Sequence, residues 1–320
     1  MQRFYIGVDI GGTKVAVGLI SPEGQLICRT QEKTMADEGA AMVLERIQNQ
    51  IVQTAAQGGL RPQDAAGIGI ACPGPLIPSQ GVVVHAPMLG WRNVPLRKII
   101  ADAFGVPCLL ENDANAAAYG ELALGAGRGC RDMIYITVST GVGGGVITNG
   151  RLLYGKHEAA GEIGHICVEW NGRPCGCGNR GCLETYASGT AIAQITRERL
   201  AQQPQHSLWA EAGQLDNVDA ALVAQYARAG DPLCALVWQE AAQRLGQGIG
   251  TLVQLFDTER IVIGGGAASQ WDLWEAPMTA AAKSCSHKLM GDDLSVVPAQ
   301  LEGNVGLLGA GLLARDTLGG

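Results

Sequence analysis

The 320-residue chain predicts an α/β fold made of two related halves. An order of strand, glycine-rich turn, strand, turn, strand occupies residues 4–30 and returns from Met133 through Gly150. The pattern recurs while the residues themselves do not. Between and after these two meanders lie helix-periodic stretches and short apolar runs of the kind that form buried strands. The length points to about two domains. Apolar residues at 47% against 17% charged supply enough material for large cores.

The elements follow in order. Phe4 to Asp9 reads as a strand, Gly11 to Lys14 as a turn and Val15 to Ile20 as the returning strand. Ser21 to Gly24 is a tight turn, because Gly24 accepts a positive φ, and residues 25–30 make the third strand. Met42, Ile47 and Ile51 share one helix face within residues 39–57. Gly67 to Ala71 is a short buried strand running into Cys72-Pro-Gly-Pro75. Leu96 to Phe104 is helical. Pro107 to Leu110 is a strand ending at Glu111-Asn112-Asp113, with an alanine-rich helix starting near Ala114. Met133 to Val138 is a strand, Ser139 to Gly145 a turn, and the chain returns from Val146. Asn149-Gly150 signals a hairpin turn. Residues 190–260 are mostly helical, Arg260 to Gly264 is a strand, and Gly306 to Arg315 is a closing helix.

Composition excludes several classes. A net charge of −7 and a pI near 5.3 argue against nucleic acid, whose phosphate backbone demands a basic surface. No apolar run has the length of a membrane span. The N-terminus enters a strand at once, without a signal peptide, so a cytosolic protein is expected. Ten cysteines fit that compartment: three cluster at Cys175, Cys177 and Cys182, and the other seven are scattered among apolar neighbours as reduced thiols.

Five motifs carry chemistry. Asp9-Ile-Gly-Gly-Thr-Lys14 sets Gly11 and Gly12 in a turn between strands, where backbone N–H groups can approach an anion and Thr13 and Lys14 add a hydroxyl and a cation. It lacks Walker spacing, and an ordinary glycine hairpin fits it equally well. Ser139-Thr-Gly-Val-Gly-Gly-Gly145 contains a G-x-G without the following helix of a dinucleotide fold. Its hydroxyls and glycines suit phosphate oxygens, and the two turns together would clasp a polyphosphate. In Glu111-Asn112-Asp113, an aspartate opening a helix is either an N-cap or a general base of the kind that phosphorylation of a hydroxyl requires, with Asn112 beside it to bond a sugar hydroxyl. Gly164-His165 followed by Cys175, Cys177 and Cys182 offers one imidazole and three thiols, a closed tetrahedral Zn²⁺ set that holds the loops bearing Glu162 and Glu184. Gly264-Gly265-Gly266 after a strand leaves room for adenine and ribose.

Together these motifs resemble the ROK family of sugar kinases and repressors, across essentially the whole chain. The carriers are Asp9 to Lys14, Glu111 to Asp113, Ser139 to Gly145, Gly161-Glu-Ile-Gly-His165, Cys175 to Cys182 with Glu184, and Gly264 to Gly266. The resemblance implies two ribonuclease-H-like domains of the actin/hexokinase superfamily around a central cleft. Residues 1–118 with about 300–320 would form the small domain, and residues 119–299 the large one. It implies ATP with Mg²⁺ in the cleft, with Gly11, Gly12, Thr13, Lys14, Thr140, Gly141 and Gly143 at the phosphates, Gly265 near adenosine and Asp9 as a holder of the Mg²⁺ hydration shell. Asp113 would be the catalytic base on a sugar 6-hydroxyl. Gly74, Asn112, Asp113, Glu162, His165 and Glu184 match sugar-contacting positions, and His165 would also ligate structural Zn²⁺ with Cys175, Cys177 and Cys182. One departure stands out: Met88 in Ala86 to Trp91 occupies a place that usually carries Asn in the family, which removes a polar contact near the sugar.

The expected activity is ATP-dependent phosphorylation of a hexose, with glucose first because His157 to His165 looks closest to bacterial glucokinases. N-acetylmannosamine, N-acetylglucosamine, mannose and fructose are the alternatives. A repressor of this family carries a DNA-binding segment before the kinase-like part, whereas here the first phosphate turn begins at residue 11, and Asp113 is present. A polyphosphate-using enzyme is disfavoured by the absence of a cationic track. A homodimer through the second domain, or a tetramer, is the expected assembly.

Overall fold

A computed structural model describes residues 3–319. Residues 1, 2 and 320, which fall within the expected small domain, lie outside the described residues. The first sheet contains β1 (Tyr5–Ile10), β2 (Lys14–Ile20), β3 (Leu26–Lys33), β4 (Gly67–Cys72) and β8 (Cys108–Asn112), in the order β3-β2-β1-β4-β8. A three-stranded sheet of β5 (Leu76–Ile77), β6 (Val82–Ala86) and β7 (Trp91–Val94) stands beside it. The second large sheet contains β9 (Met133–Val138), β10 (Val142–Thr148), β11 (Arg151–Leu152), β12 (Arg260–Gly264) and β13 (Val296–Pro298), in the order β11-β10-β9-β12-β13. Each large sheet is an antiparallel meander followed by two parallel strands. The recurrence read from the two meanders therefore extends to whole sheets.

The helices are α1 (Ala40–Gln57), α2 (Leu96–Phe104), α3 (Asp113–Leu124), α4 (Glu184–Ala187), α5 (Gly189–Leu200), α6 (Leu208–Ala212), α7 (Ala220–Arg228), α8 (Pro232–Phe256), α9 (Trp271–Cys285), α10 (Lys288–Asp292) and α11 (Val305–Leu318). One apolar core joins β1, β2 and β4 to α1 and α2 through Ile6, Val8, Ile47, Ile68 and Ile100. The other joins β9 and β12 to the helical layer through Ile134, Ile136, Leu245, Ile261 and Trp238, whose ring meets Trp274 edge-on at 5.5 Å. The closing helix α11 packs on α3, β1 and β4, so the end of the chain returns to the first sheet.

One expected boundary is corrected. The turn anticipated over Ser139 to Gly145 is shorter, and β10 already begins at Val142. Gly143, Gly144 and Gly145 pair with Thr137, Ile136 and Tyr135 as strand residues. Their lack of side chains serves packing instead of turning: a Cβ on Gly144 would lie 2.2 Å from Ile163, and one on Gly145 would lie 2.7 Å from Ala118. At Asn149-Gly150 both residues have positive φ, as the hairpin reading requires. The small sheet β5–β7, α9 and β13 were not anticipated.

The chain passes from first sheet to second after α3 and returns before α11. Buried Glu121, near the end of α3, accepts hydrogen bonds from Ala126 N at 2.7 Å on the outgoing crossing. On the return crossing it accepts from Gln300 N at 3.0 Å and Leu301 N at 2.8 Å.

Candidate active site

Asp113 lies where the sheet hands over to α3. Asn112, the last residue of β8, is the N-cap of that helix, and its Oδ1 accepts from Ala114 N at 2.9 Å and Asn115 N at 3.2 Å. The cap role open to Asp113 in the sequence is therefore filled by Asn112. Asn112 keeps its Nδ2 donors free of the cap, and Asp113 has one oxygen held by Ala114 N at 2.9 Å. Burial raises the Asp113 carboxyl above its ordinary value, the Ala114 amide opposes that rise, and the Glu162 charge adds to it.

Two cavities meet at this residue. The smaller, about 290 Å³, is lined by Gly74, Asn112, Asp113, Gly143, Glu158 and Glu162 among others. The larger, about 720 Å³, is lined by Asp9, Lys14, Asp113, Thr137, Gly265 and Gly306 among others. Asp113 and Ala114 are common to both. A third pocket of about 470 Å³ continues from Gly266 past Ser139 and Thr140 to the starts of α5 and α7.

The first glycine turn reaches the larger cavity through Lys14, and the second lines the third pocket through Ser139 and Thr140. In the first, Gly11 N donates to Lys14 O at 2.9 Å, and Thr34 Oγ1 donates to Gly11 O at 2.6 Å, which fixes the turn. Burial lifts the Asp9 carboxyl to about 6, nearby Asp113 adds to the lift, and Lys14 opposes it. In the second turn, Ser139 N donates to Gly141 O at 2.9 Å, and Glu184 Oε2 accepts from Val142 N at 3.0 Å just beyond. Gly265 has φ of 94°, and a Cβ there would meet Val138 O at 2.4 Å, so only glycine fits. Gly74 is equally constrained: its φ is 93° and a Cβ would meet His85 O at 2.3 Å.

The candidate metal cluster assembles as its spacing suggests. Ligand atoms of His165, Cys175, Cys177 and Cys182 all lie within 4.8 Å of one another. His165 Nδ1 is 3.6 Å from Cys175 Sγ, and Cys177 Sγ is 3.6 Å from Cys182 Sγ. One nitrogen and three sulfurs converging in this way form a donor set that suits Zn²⁺. The other imidazole nitrogen of His165, Nε2, lies 3.8 Å from Glu162 Oε2. The cluster thus stands between Glu162 on one side and Glu184, which opens α4 two residues after Cys182, on the other.

The expected positions sort as follows. Gly74, Asn112, Asp113 and Glu162 line the smaller cavity; His165 and Glu184 do not, the former standing beside Glu162 and the latter tied to the second turn. Gly143 lines the smaller cavity from within β10 instead of the phosphate turn. Lys14, Asp9 and Gly265 line the larger cavity, and Thr140 the adjoining pocket. Met88 lies over the first glycine turn, since a Cβ on Gly12 would touch its Cε at 2.7 Å. Glu111, Tyr154 and Glu158 were not anticipated as site residues. Glu111 and Glu158 stood inside quoted stretches without a role of their own, and nothing in the sequence marked Tyr154.

Comparison with known families matches residues 5–317 to the ROK family. The chain belongs to the ROK family. Glucokinase of Halalkalibacterium halodurans is 34% identical over 316 residues, covering 98% of this chain and 96% of that protein. The crystal structure of a ROK family glucokinase from Streptomyces griseus in complex with glucose and AMPPNP superposes with a TM-score of 0.82 at 34% identity, covering 98% of this chain and 99% of that one. The fold is therefore the two-domain fold of the actin/hexokinase superfamily. ROK relatives also include a xylose repressor of Caldicellulosiruptor bescii, 32% identical over 263 residues, covering 82% of this chain and 66% of the repressor.

Proposed function

We propose that this protein is an ATP-dependent hexose kinase that phosphorylates the 6-hydroxyl of glucose. One observation carries the reading: Asp113 stands at the junction of two cavities, one of hexose size with Asn112 and Glu162, the other long, glycine-lined and furnished with Lys14. A phosphoryl group moving between occupants of the two cavities passes this carboxylate.

In the proposed mechanism, the sugar lies in the smaller cavity against Gly74, Asn112 and Glu162, with His165 and Glu184 behind. The ATP phosphates lie against Gly11 to Lys14 and Thr140 to Gly141, and the nucleoside extends past Gly265. Mg²⁺, when bound, supplies charge neutralisation at the phosphates, and Asp9 is placed to hold its waters. Asp113 Oδ2 accepts the hydroxyl proton as the oxygen attacks in line, while backbone amides and Lys14 stabilise the transferring charge. We assign residues 1–118 with about 300–320 to one body and 119–299 to the other, closing on the substrates to exclude water. The His165, Cys175, Cys177 and Cys182 set holds structural Zn²⁺, with no open position for chemistry. The protein is placed in the cytoplasm as a homodimer formed through the second body. Among the described residues no helix is long and apolar enough to cross a membrane.

The test is a coupled ADP-release assay comparing kcat/KM for glucose, mannose, fructose, N-acetylmannosamine and N-acetylglucosamine. Glucose ranks first on this reading, and a higher value for an N-acetylated sugar reassigns the substrate. Asp113→Asn lowers kcat by about 10²–10⁴ with sugar binding retained. Near-normal turnover in that variant removes the base assignment.

A further inference from the structure

We propose that Tyr154 and Glu111 are positioning residues for the transfer: the Tyr154 hydroxyl reaches across the cleft and fixes the carboxylate that holds the backbone at Asn112. The proposal rests on the kinase reading given above and concerns residues outside it.

Glu111 is 3% exposed, directly before the pair that faces the two cavities. Its Oε1 accepts from Asn112 N at 2.9 Å and from Asn115 Nδ2 at 3.0 Å. Its Oε2 accepts from Tyr154 Oη at 2.8 Å. The carboxylate therefore grips both the last residue of β8 and the first turn of α3. A buried carboxylate keeps its place only while donors satisfy it. Asn115 and Asn112 come from its own side of the cleft. Tyr154 comes from the segment following β11, on the other side.

That segment is a strap. Ala160 N donates back to Tyr154 O at 3.0 Å, closing residues 154–160 into a loop. Glu158, held at a φ of 56°, accepts from Ser79 N at 2.8 Å, a residue of the β5–β6 turn on the first side. The same strap lines the smaller cavity through His157 to Gly161 and ends in Glu162. Two hydrogen bonds thus cross the cleft from one loop, at the cavity rim and behind its floor. The Tyr154 donor that holds Glu111 and the loop that walls the smaller cavity thus belong to one segment, so the alignment of Asn112 and Asp113 is tied to the placement of that wall.

Tyr154→Phe removes one hydroxyl and keeps the ring. The expected result is a kcat about 10- to 100-fold lower, the scale of a misaligned base. Glucose affinity by titration calorimetry stays within about threefold, and the melting temperature changes little. Glu111→Gln loses kcat too, and the double variant loses no more than the worse single one, because the Tyr154 hydroxyl acts through Glu111. A Tyr154→Phe enzyme with kcat within about twofold of the parent overturns the proposal, as do losses that multiply in the double variant. If Glu111→Gln does not fold, the Tyr154→Phe split between kcat and affinity decides alone. Asp113→Asn, assayed in parallel, separates the readings. Its inactivity beside a fully active Tyr154→Phe removes the positioning role alone, whereas its full activity removes both.

Discussion

Asp9, the residue before the last in β1, lines a cavity that Asp113 and Lys14 also line. Its folded-state value of about 6 stands well above the 3.8 of an unburied aspartate. Between these values the folded chain binds more protons than the unfolded one. Stability from this group is thus present below about pH 4 and is lost as pH rises through about 6. At neutral pH the cost is on the order of 3 kcal/mol. Asp9→Asn is expected to raise the melting temperature of ligand-free protein at pH 7, to have little effect at pH 4, and to lose kinase activity. A variant less stable than the parent at pH 7 refutes that account. Residue-level meaning was legible in part. Read from its position alone, Asp113 had the cap as its commonest role and the base as the functional alternative, and only the fold shows Asn112 filling the cap.

At the scale of elements, the loops around the cysteine cluster carry little regular structure: between the single 3₁₀ turn at Ile163–His165 and α4 there are only isolated bridges, Cys167 with Cys182 and Pro174 with Arg180. Such a segment has few ladder hydrogen bonds to hold its shape, so metal ligation is the natural source of rigidity. Cys177→Ser, or prolonged chelation, is expected to release about one zinc per chain, lower the melting temperature and weaken sugar binding together. Full stability and affinity in metal-free protein would falsify the zinc assignment. This cluster was fully legible, because four ligands fall within eighteen residues of sequence. The β10 glycines were not. A run of Gly143 to Gly145 looks like a turn until Ile163 and Ala118 are seen packed against it.

At the scale of the whole molecule, Glu121 ties α3 to both crossings between the sheets. Glu121→Leu leaves three backbone donors without their acceptor, each costing about 1–3 kcal/mol where burial denies them water. The variant is expected to unfold at markedly lower denaturant concentration, and any folded fraction to show a raised KM for both substrates as the tie between the two sheets loosens. Unchanged stability would show that water replaces the carboxylate at the crossings.

The sequence alone determined the local chemistry of this protein: the two glycine turns, the Asn112-Asp113 pair, the candidate metal cluster and the recurrence of the opening meander. Those signals are short-range, written in a few consecutive residues whose backbone needs or donor atoms are distinctive. Tertiary structure decided what the signals share. It brought Asp113 into both cavities, set Met88 over Gly12, tied Glu184 to the second turn, and carried Tyr154 to Glu111 across 43 positions. The physical reason is that a hydrogen bond or a cavity wall depends on distance in space, and the partners that meet here are far apart in the chain, Tyr154 and Glu111 even on different sides of the crossing from the first sheet to the second.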